Sequence, residues 1–280
     1  MTLRKSVQIP ILPWFKDHHF NEQCIFPAVE SMLLLAGIAK EISPDIQRSV
    51  ISEANFSKLL PIPKDTIALS ALVDIDEDEH GISLKLLSKI QFKKISRIKE
   101  HAELSFSVKL PTTAAVTELM PIENGFAIEA ERIYEELVPF GLTYRSLTGV
   151  LNLSDNMACG ILRAPKLTQQ HEMETELGSP FPLDGAMHAA CVLGQCIAGF
   201  IPFPVGFVSR TIHKPTLAGE TYNTIVIARS ATKDELLFDL SIFDTTGIAC
   251  ETVKGLRMRD VSRGTIKPPQ DLPRLKVSPQ

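Results

Sequence analysis

Two short stretches, far apart in the chain, carry side chains able to move protons. The first is Asp17-His18-His19-Phe20-Asn21-Glu22-Gln23-Cys24-Ile25-Phe26-Pro27, which runs into an apolar segment. The second is Pro182-Leu183-Asp184-Gly185-Ala186-Met187-His188, which does the same. Each sets an acid–base group just before or at the start of a helix that its composition marks as buried. One histidine and one carboxyl group sharing a pocket suit an elimination. The base takes a proton from the carbon beside a carbonyl, and the acid protonates a departing hydroxyl.

On the residues alone, His18 or His19 is the base. Alternation places the two on opposite faces, with Phe20 on the side of His18. Asp184 has a bland reading as a helix N-cap, because a carboxylate there gains from the helix dipole and free N–H groups. An acid role requires it to hold a proton near neutral pH, which burial among Phe181, Leu183 and Met187 would favour. His188 lies one helical turn on, placed to orient Asp184 or a substrate. Pro27 suits the first turn of its helix, where its missing N–H is no loss. The N–H groups of Ala28 or Val29 could then polarise a carbonyl oxygen. HExxH, phosphate-loop and GxGxxG patterns are absent, and this elimination requires no metal or cofactor.

The elements that must position these groups follow from pattern. Ala28 to Ala39 is apolar or small almost throughout, which marks a helix buried on all sides, closed by Ser43-Pro44. Strand-like runs cover Phe56–Leu60, Thr66–Ile75, Gly81–Ile90 and His101–Leu110. The acidic tract from Asp74 to Gly81, between two of these runs, lacks EF-hand spacing and is expected to be a solvated hairpin tip. A short amphipathic helix is expected over Glu129–Leu137. Extended segments follow at Ser146–Leu153 and Ala158–Arg163, and a polar loop at Thr168–Ser179. A second buried helix spans about Leu183–Gly199. Strands then occupy Val205–Lys214, Thr221–Ser230, Leu236–Asp244 and Ile248–Arg259. The chain thus divides into an N-terminal half (1–125), a connector (126–145), a C-terminal half (146–263) and a Pro-rich basic tail (264–280) expected to be a linker or flexible end. Each half is a buried helix followed by antiparallel strands, an α+β architecture.

Composition agrees with a packed protein. Of 280 residues 44% are apolar, and the net charge of -4 with a pI near 6.0 gives no case for nucleic acid. The five cysteines form no CxxC pair and are expected to be reduced, buried thiols of a cytoplasmic protein. Neither a signal peptide nor a membrane span is expected.

In order and spacing, the motifs resemble the dehydratase domain of modular polyketide synthases over about residues 12–262. The family pattern L-x-D-H-x-V-x-G-x-x-x-x-P reads here Phe15-x-Asp17-His18-x-Phe20-x-Glu22-x-x-x-x-Pro27, with Glu22 in place of glycine. G-Y-x-Y-G-P-x-F is kept as Gly141-Leu142-Thr143-Tyr144, without the following Gly-Pro. D-x-x-x-Q/H is Asp184-x-x-x-His188. Lys99-Glu100-His101-Ala102-Glu103 is similar to a Trp-x-x-His-Ala stretch, with the tryptophan absent. Downstream, Ile201–Gly206, Phe243-Asp244-x-x-Gly247 and Val253–Arg259 also fit the family.

The resemblance implies a double hotdog fold, with two antiparallel sheets each wrapped around a buried helix. It implies dehydration of a 3-hydroxyacyl thioester on the phosphopantetheine arm of an acyl carrier protein. Neighbouring synthase domains are further expected partners, and a dimer is possible. The polyketide-type spacing, nine residues from His18 to Pro27, selects His18 as base; the fatty-acid type would select His19. Asp184 is then the acid, and Tyr144, Leu142, His188, Pro27 and Ala28 bind substrate. Glu22 either narrows the acyl tunnel or lies at its rim. Rival readings are an isomerase or cyclase on the same scaffold, which the retained Asp184 argues against, and a decayed acyl-binding domain. The positive charge between Lys254 and Lys276, centred on Arg257 and Arg259, reads either as ordinary surface or as a carrier-docking patch.

Overall fold

A computed structural model describes residues 2–20, 22–92, 95–108 and 125–275. The N-terminal half supplies β1 (Thr2–Pro10), a small hairpin of β2 (His19–Phe20) and β3 (Gln23–Cys24), and helix α1 (Ala28–Ile42). The short β4 (Val50–Ile51) and β5 (Glu53–Asn55) follow, then the long β6 (Ala68–Asp78), β7 (Gly81–Phe92) and β8 (Ile95–Ser107). The C-terminal half supplies β9 (Phe126–Glu129), β10 (Leu147–Ser154), β11 (Met157–Arg163) and helix α2 (Pro180–Ile197). Its remaining strands are β12 (Phe203–Phe207), β13 (Ser209–Ile212), β14 (Thr221–Ala231), β15 (Glu235–Asp244) and β16 (Ala249–Arg259).

The sheets of the two halves are joined rather than separate. The described residues contain one 14-stranded antiparallel sheet, ordered β1-β6-β7-β8-β5-β12-β16-β15-β14-β11-β10-β9, with β13 bridging β16 and β4. The seam is short: Gly206 and Phe207 pair with Asn55 and Ala54, while Arg210 and Thr211 pair with Ile51 and Val50. Arg257 reinforces it through the Asn55 side chain and the Ala54 carbonyl. The sheet wraps α1 and α2, which pack against each other at the centre. Both helices are buried nearly all round because almost every position is apolar; α2 is buried from Pro180 to Cys196.

Several expectations change in detail. Phe56–Leu60 is a loop, because its backbone serves other partners: Phe56 N–H donates to Val205 O, and Leu60 O accepts from Phe26 N–H. Val205–Lys214 is broken at Val208 into β12 and β13. Gly255, at φ 62, sits so close to Val208 that a Cβ would come within 2.7 Å of its side chain. Most of the acidic tract lies in β6, where Asp74 holds Arg4 of β1 at 2.7 Å; the hairpin tip is only Glu79 and His80. Pro27 is the N-cap of α1 and not its first helical residue. The described part of the tail is docked, not free. Leu272 is buried, and Arg274 Nη1 donates to Gln195 O and Ala198 O at 3.0 and 2.8 Å, capping the C-terminus of α2. Residues 109–124, at the end of the N-terminal half and including the last two of the expected strand His101–Leu110, and residues 276–280 of the tail lie outside the described residues.

Candidate active site

The segment that carries His18 is held by packing and by one carboxylate. Pro13–Asp17 forms a 3₁₀ turn whose Phe15 is buried edge-on against Phe26 at 5.4 Å. Asp17 reaches across to the other half, where its Oδ2 accepts from the Thr143 N–H at 2.9 Å and the Thr143 hydroxyl at 2.6 Å. Its carbonyl accepts from Gly141 N–H at 2.8 Å. Gly141 has to be glycine for this approach, since a Cβ would stand 2.5 Å from the Asp17 carboxylate. The Asp beside His18 and the Gly three residues before Tyr144 therefore form one latch between the halves.

Beyond that latch, His18 lines a cavity of about 550 Å³ bounded by both halves, within the usual size of a small-molecule site. Its Nδ1 lies 3.0 Å from the Ile25 carbonyl. A carbonyl can only accept, so Nδ1 carries the proton and Nε2 holds a free lone pair. The ring stacks on Phe140 at 4.5 Å and meets Tyr144 edge-on at 5.1 Å. Burial pulls the His18 pKa below the ordinary histidine value, opposed by the Asp184 charge and assisted by His188. His19 does not line the cavity; its Nδ1 faces Asp17 O at 3.3 Å. Phe20 lines the cavity on the His18 side and packs on Phe203 of the other half at 4.8 Å.

Asp184 and His188 enter the same cavity from α2. Ser179 is the N-cap of this helix, so Asp184 lies in the second turn and is not a cap. The helix seats deeply there because the next residue is Gly185: a Cβ would come within 2.7 Å of Ser146 and 2.9 Å of Leu162. Asp184 Oδ2 lies 3.0 Å from His188 Nε2, but the pair is poorly aligned for a hydrogen bond, and neither atom has another partner among the described residues. His188 Nδ1 lies 3.2 Å from the Tyr134 hydroxyl, which accepts from Leu147 N–H at 2.8 Å.

The other candidates divide. Ala28, at the first position of α1, lines the cavity, and helix geometry leaves its N–H without an intrahelical partner. Pro27 is buried beside it and does not line the cavity. Tyr144 is fully buried behind His18 rather than on the cavity wall. Leu142 is 81% exposed and makes no part of the site, because the short turn from Leu142 to Tyr144 buries only the tyrosine. Glu22 is exposed in the β2–β3 turn at φ 62, outside the cavity. Arg257 is engaged at the seam, and Arg259 is paired with Glu235 at 2.6 Å.

His101 was legible only as part of a motif. It is the extra residue of a β-bulge between β7 and β8, which turns it toward the cavity. There its Nδ1 holds Lys58 O at 3.0 Å and its Nε2 meets Ser88 Oγ at 2.7 Å, tying down the Phe56–Leu60 loop. Among the described residues, no cluster of histidine, cysteine, aspartate or glutamate could hold a metal, and no helix is long and apolar enough to cross a membrane.

The family model for the polyketide synthase dehydratase N-terminal domain matches residues 127–266. The chain belongs to the polyketide synthase dehydratase family. Solved dehydratase domains share its double hotdog fold over nearly their whole length. The bifunctional dehydratase-cyclase domain of ambruticin biosynthesis is 19% identical, with 92% of this chain and 91% of that chain covered and a TM-score of 0.68. The dehydratase domain from the CurJ module of the curacin polyketide synthase is 18% identical, with 92% and 91% coverage and a TM-score of 0.68. The PpsC dehydratase domain from Mycobacterium tuberculosis, solved with C12:1-CoA, is 16% identical, with 92% and 93% coverage and a TM-score of 0.69. No curated protein sequence matches this dehydratase-family chain.

Proposed function

We propose that this protein removes water from a 3-hydroxyacyl thioester carried on the phosphopantetheine of an acyl carrier protein, leaving an enoyl thioester. The observation that carries the reading is that His18 and Asp184, from opposite halves, line one cavity, with His18 Nδ1 occupied by Ile25 O and its Nε2 left basic. In this scheme His18 Nε2 takes the α-proton while the N–H groups at the start of α1, beside Ala28, draw charge onto the thioester oxygen. The electrons of the broken C–H bond form the double bond. The C–O bond breaks as Asp184 gives its proton to the β-hydroxyl, and water leaves. The proton on His18 and the vacancy on Asp184 are restored by exchange with solvent.

The same scaffold supports double-bond migration or ring closure, and one similar structure is described as a dehydratase-cyclase. Asp184 favours dehydration, since migration or closure does not require protonating a leaving hydroxyl. Of the two features that favour a decayed, non-catalytic site, Glu22 and the missing Gly-Pro after Tyr144, Glu22 lies outside the cavity, and His18 and Asp184 argue against that reading. Mass spectrometry after incubation with a short 3-hydroxyacyl thioester tests the reading. Loss of one water, abolished in Asp184→Asn, is expected; an unchanged, migrated or cyclised product without water loss would overturn it.

A further inference from the structure

The segment between β9 and β10 buries one tyrosine against α2. Ala130–Arg132 starts as an α-helix and widens into a π turn over Ile133–Leu137, closed by Val138 N–H donating to Ile133 O at 2.8 Å. Widened turns of this kind recur at functional sites. Here the turn is locked onto α2, since Gln195 Nε2 donates to Leu137 O at 3.0 Å. It carries Tyr134, which is buried, with its ring edge-on to His188 at 5.8 Å and the Arg145 guanidinium over one face at 5.8 Å. The Tyr134 hydroxyl decides which nitrogen of His188 bears a proton. Its oxygen accepts from Leu147 N–H at 2.8 Å and lies 3.2 Å from His188 Nδ1. Burial pushes the phenol well above its ordinary pKa, so the hydroxyl keeps its proton. Among the described residues His188 Nδ1 is the acceptor that this proton meets. Nδ1 is therefore bare, and the neutral ring carries its proton on Nε2. Nε2 faces Asp184 Oδ2 at 3.0 Å, off line, and has no hydrogen-bond partner among the described residues. Phe140 packs on the same ring at 4.9 Å and limits its tilt.

We propose that Tyr134 is a positioning residue for the elimination: by holding His188 in the Nε2–H tautomer, it keeps a hydrogen-bond donor beside Asp184 for the moment when that carboxyl group gives up its proton. Asp184 ends the step as a carboxylate at a buried position, where a charge without a donor is costly. An N–H bonds a carboxylate more strongly than it bonds a protonated carboxyl group. The fixed Nε2–H thus favours the end of the proton transfer over its start, which is the condition for accelerating it. The poor alignment in the resting protein agrees with this order, because such bonds tighten as the reaction proceeds. In the opposite tautomer Nε2 would present a lone pair to the new carboxylate and repel it. Tyr134 passes no proton in this scheme, and His188 gives none away; both hold the direction of one donor.

The catalytic part of this inference rests on the dehydratase reading; the tautomer does not, and the test separates the two. Proton–nitrogen correlation spectra of protein carrying isotope-labelled histidine read the tautomer directly, with the His188 signals identified by their loss in His188→Gln. Wild type is expected to show a protonated Nε2 and a bare Nδ1. A protonated Nδ1 overturns the proposal whatever the activity, and this measurement needs no Tyr134 variant to fold. Tyr134→Phe keeps the ring and removes only the hydroxyl. In it the single tautomer is expected to give way to a mixture. Its kcat on a short 3-hydroxyacyl thioester should fall several-fold, by no more than the roughly tenfold loss of His188→Gln, with KM little changed. Combined with His188→Gln, it should bring no further loss, because it acts through that ring. An unchanged kcat in folded Tyr134→Phe, or a full additional loss in the double variant, overturns the positioning role. A wild type that releases no water overturns the dehydratase reading and leaves the tautomer result standing.

Discussion

Asp184 Oδ2 stands 3.0 Å from His188 Nε2, one helical turn away on α2, without a well-formed hydrogen bond between them. The other nitrogen of His188 is fixed against Tyr134, whose hydroxyl is itself held by Leu147 N–H. The aspartate is thus steered by a ring anchored from behind, yet its oxygen is not consumed by a strong bond. Replacing His188 by Gln should lower kcat by about tenfold and leave the protein folded, a milder loss than removing the acid. Single-turnover kinetics would check this; a loss as large as that of Asp184→Asn would make His188 a proton donor in its own right.

The two reacting groups should show steep and separate losses. Asp184→Asn keeps the shape but has no proton to give, and His18→Gln has no base at the Nε2 position. Each is expected to lower kcat by about 10²–10⁴-fold without unfolding the protein. His19→Gln serves as the control, since His19 faces away from the cavity. Circular dichroism together with turnover assays would decide the matter, and a large loss in His19→Gln with a mild one in His18→Gln would move the base by one residue.

The acid side of the pH profile follows from the burial of His18. A base works when unprotonated, and burial favours the neutral ring, so its pKa lies below the usual value. The acid limb of kcat/KM should therefore fall below about pH 6.5, the ordinary histidine midpoint. A limb at or above that point in steady-state profiles would mean that His18 is more solvated than its stacking on Phe140 implies.

Much of this architecture is legible in sequence because it is written in patterns of burial. The two apolar helices and the long strands β14 to β16 need no tertiary knowledge, whereas the choice of His18 over His19 comes from the family spacing and not from burial. What escapes is set by contacts distant in sequence. Leu142 and Tyr144 sit two residues apart in one motif, yet a single short turn sends one to solvent and the other behind His18. Phe56–Leu60 carries strand-like residues, but its backbone partners lie in the other half and around α1. Arg274 looks like tail charge until the C-terminus of α2 is placed beneath it.

Glu22 offers a test of stability distinct from chemistry. The turn between β2 and β3 holds it at φ 62, where a side chain bearing a Cβ is strained and glycine is not. Glu22→Gly should stabilise the fold by about 0.5–1 kcal/mol after the greater flexibility of the unfolded glycine is deducted. Calorimetry would show a Tm raised by roughly 1–3 °C, with kcat unchanged because the side chain lies outside the cavity. A lowered Tm would mean that Glu22 makes a compensating contact.

The last expectation concerns delivery of the substrate. Arg257 and Arg259 are committed to Asn55 and Glu235, so they are poor candidates for meeting an acidic carrier. The cavity wall itself offers three other cations, Lys58, Lys99 and Arg263; Lys58 and Arg263 are exposed and Lys99 half-buried. Lys58 and Lys99 also crowd His101, and their charges help to lower its pKa, which places both at the same end of the cavity. Such a rim would steer a phosphopantetheine-bearing carrier by long-range attraction, an effect that acts mainly on association and weakens with salt. Lys58→Glu and Lys99→Glu together should lower kcat/KM for a carrier-bound substrate at least several-fold at low ionic strength while sparing a small uncharged thioester. Arg259→Glu should leave both substrates unaffected. Equal losses on the two substrates in the lysine variant would assign the rim to cavity shape, and a carrier-specific loss in Arg259→Glu would return the docking surface to β16.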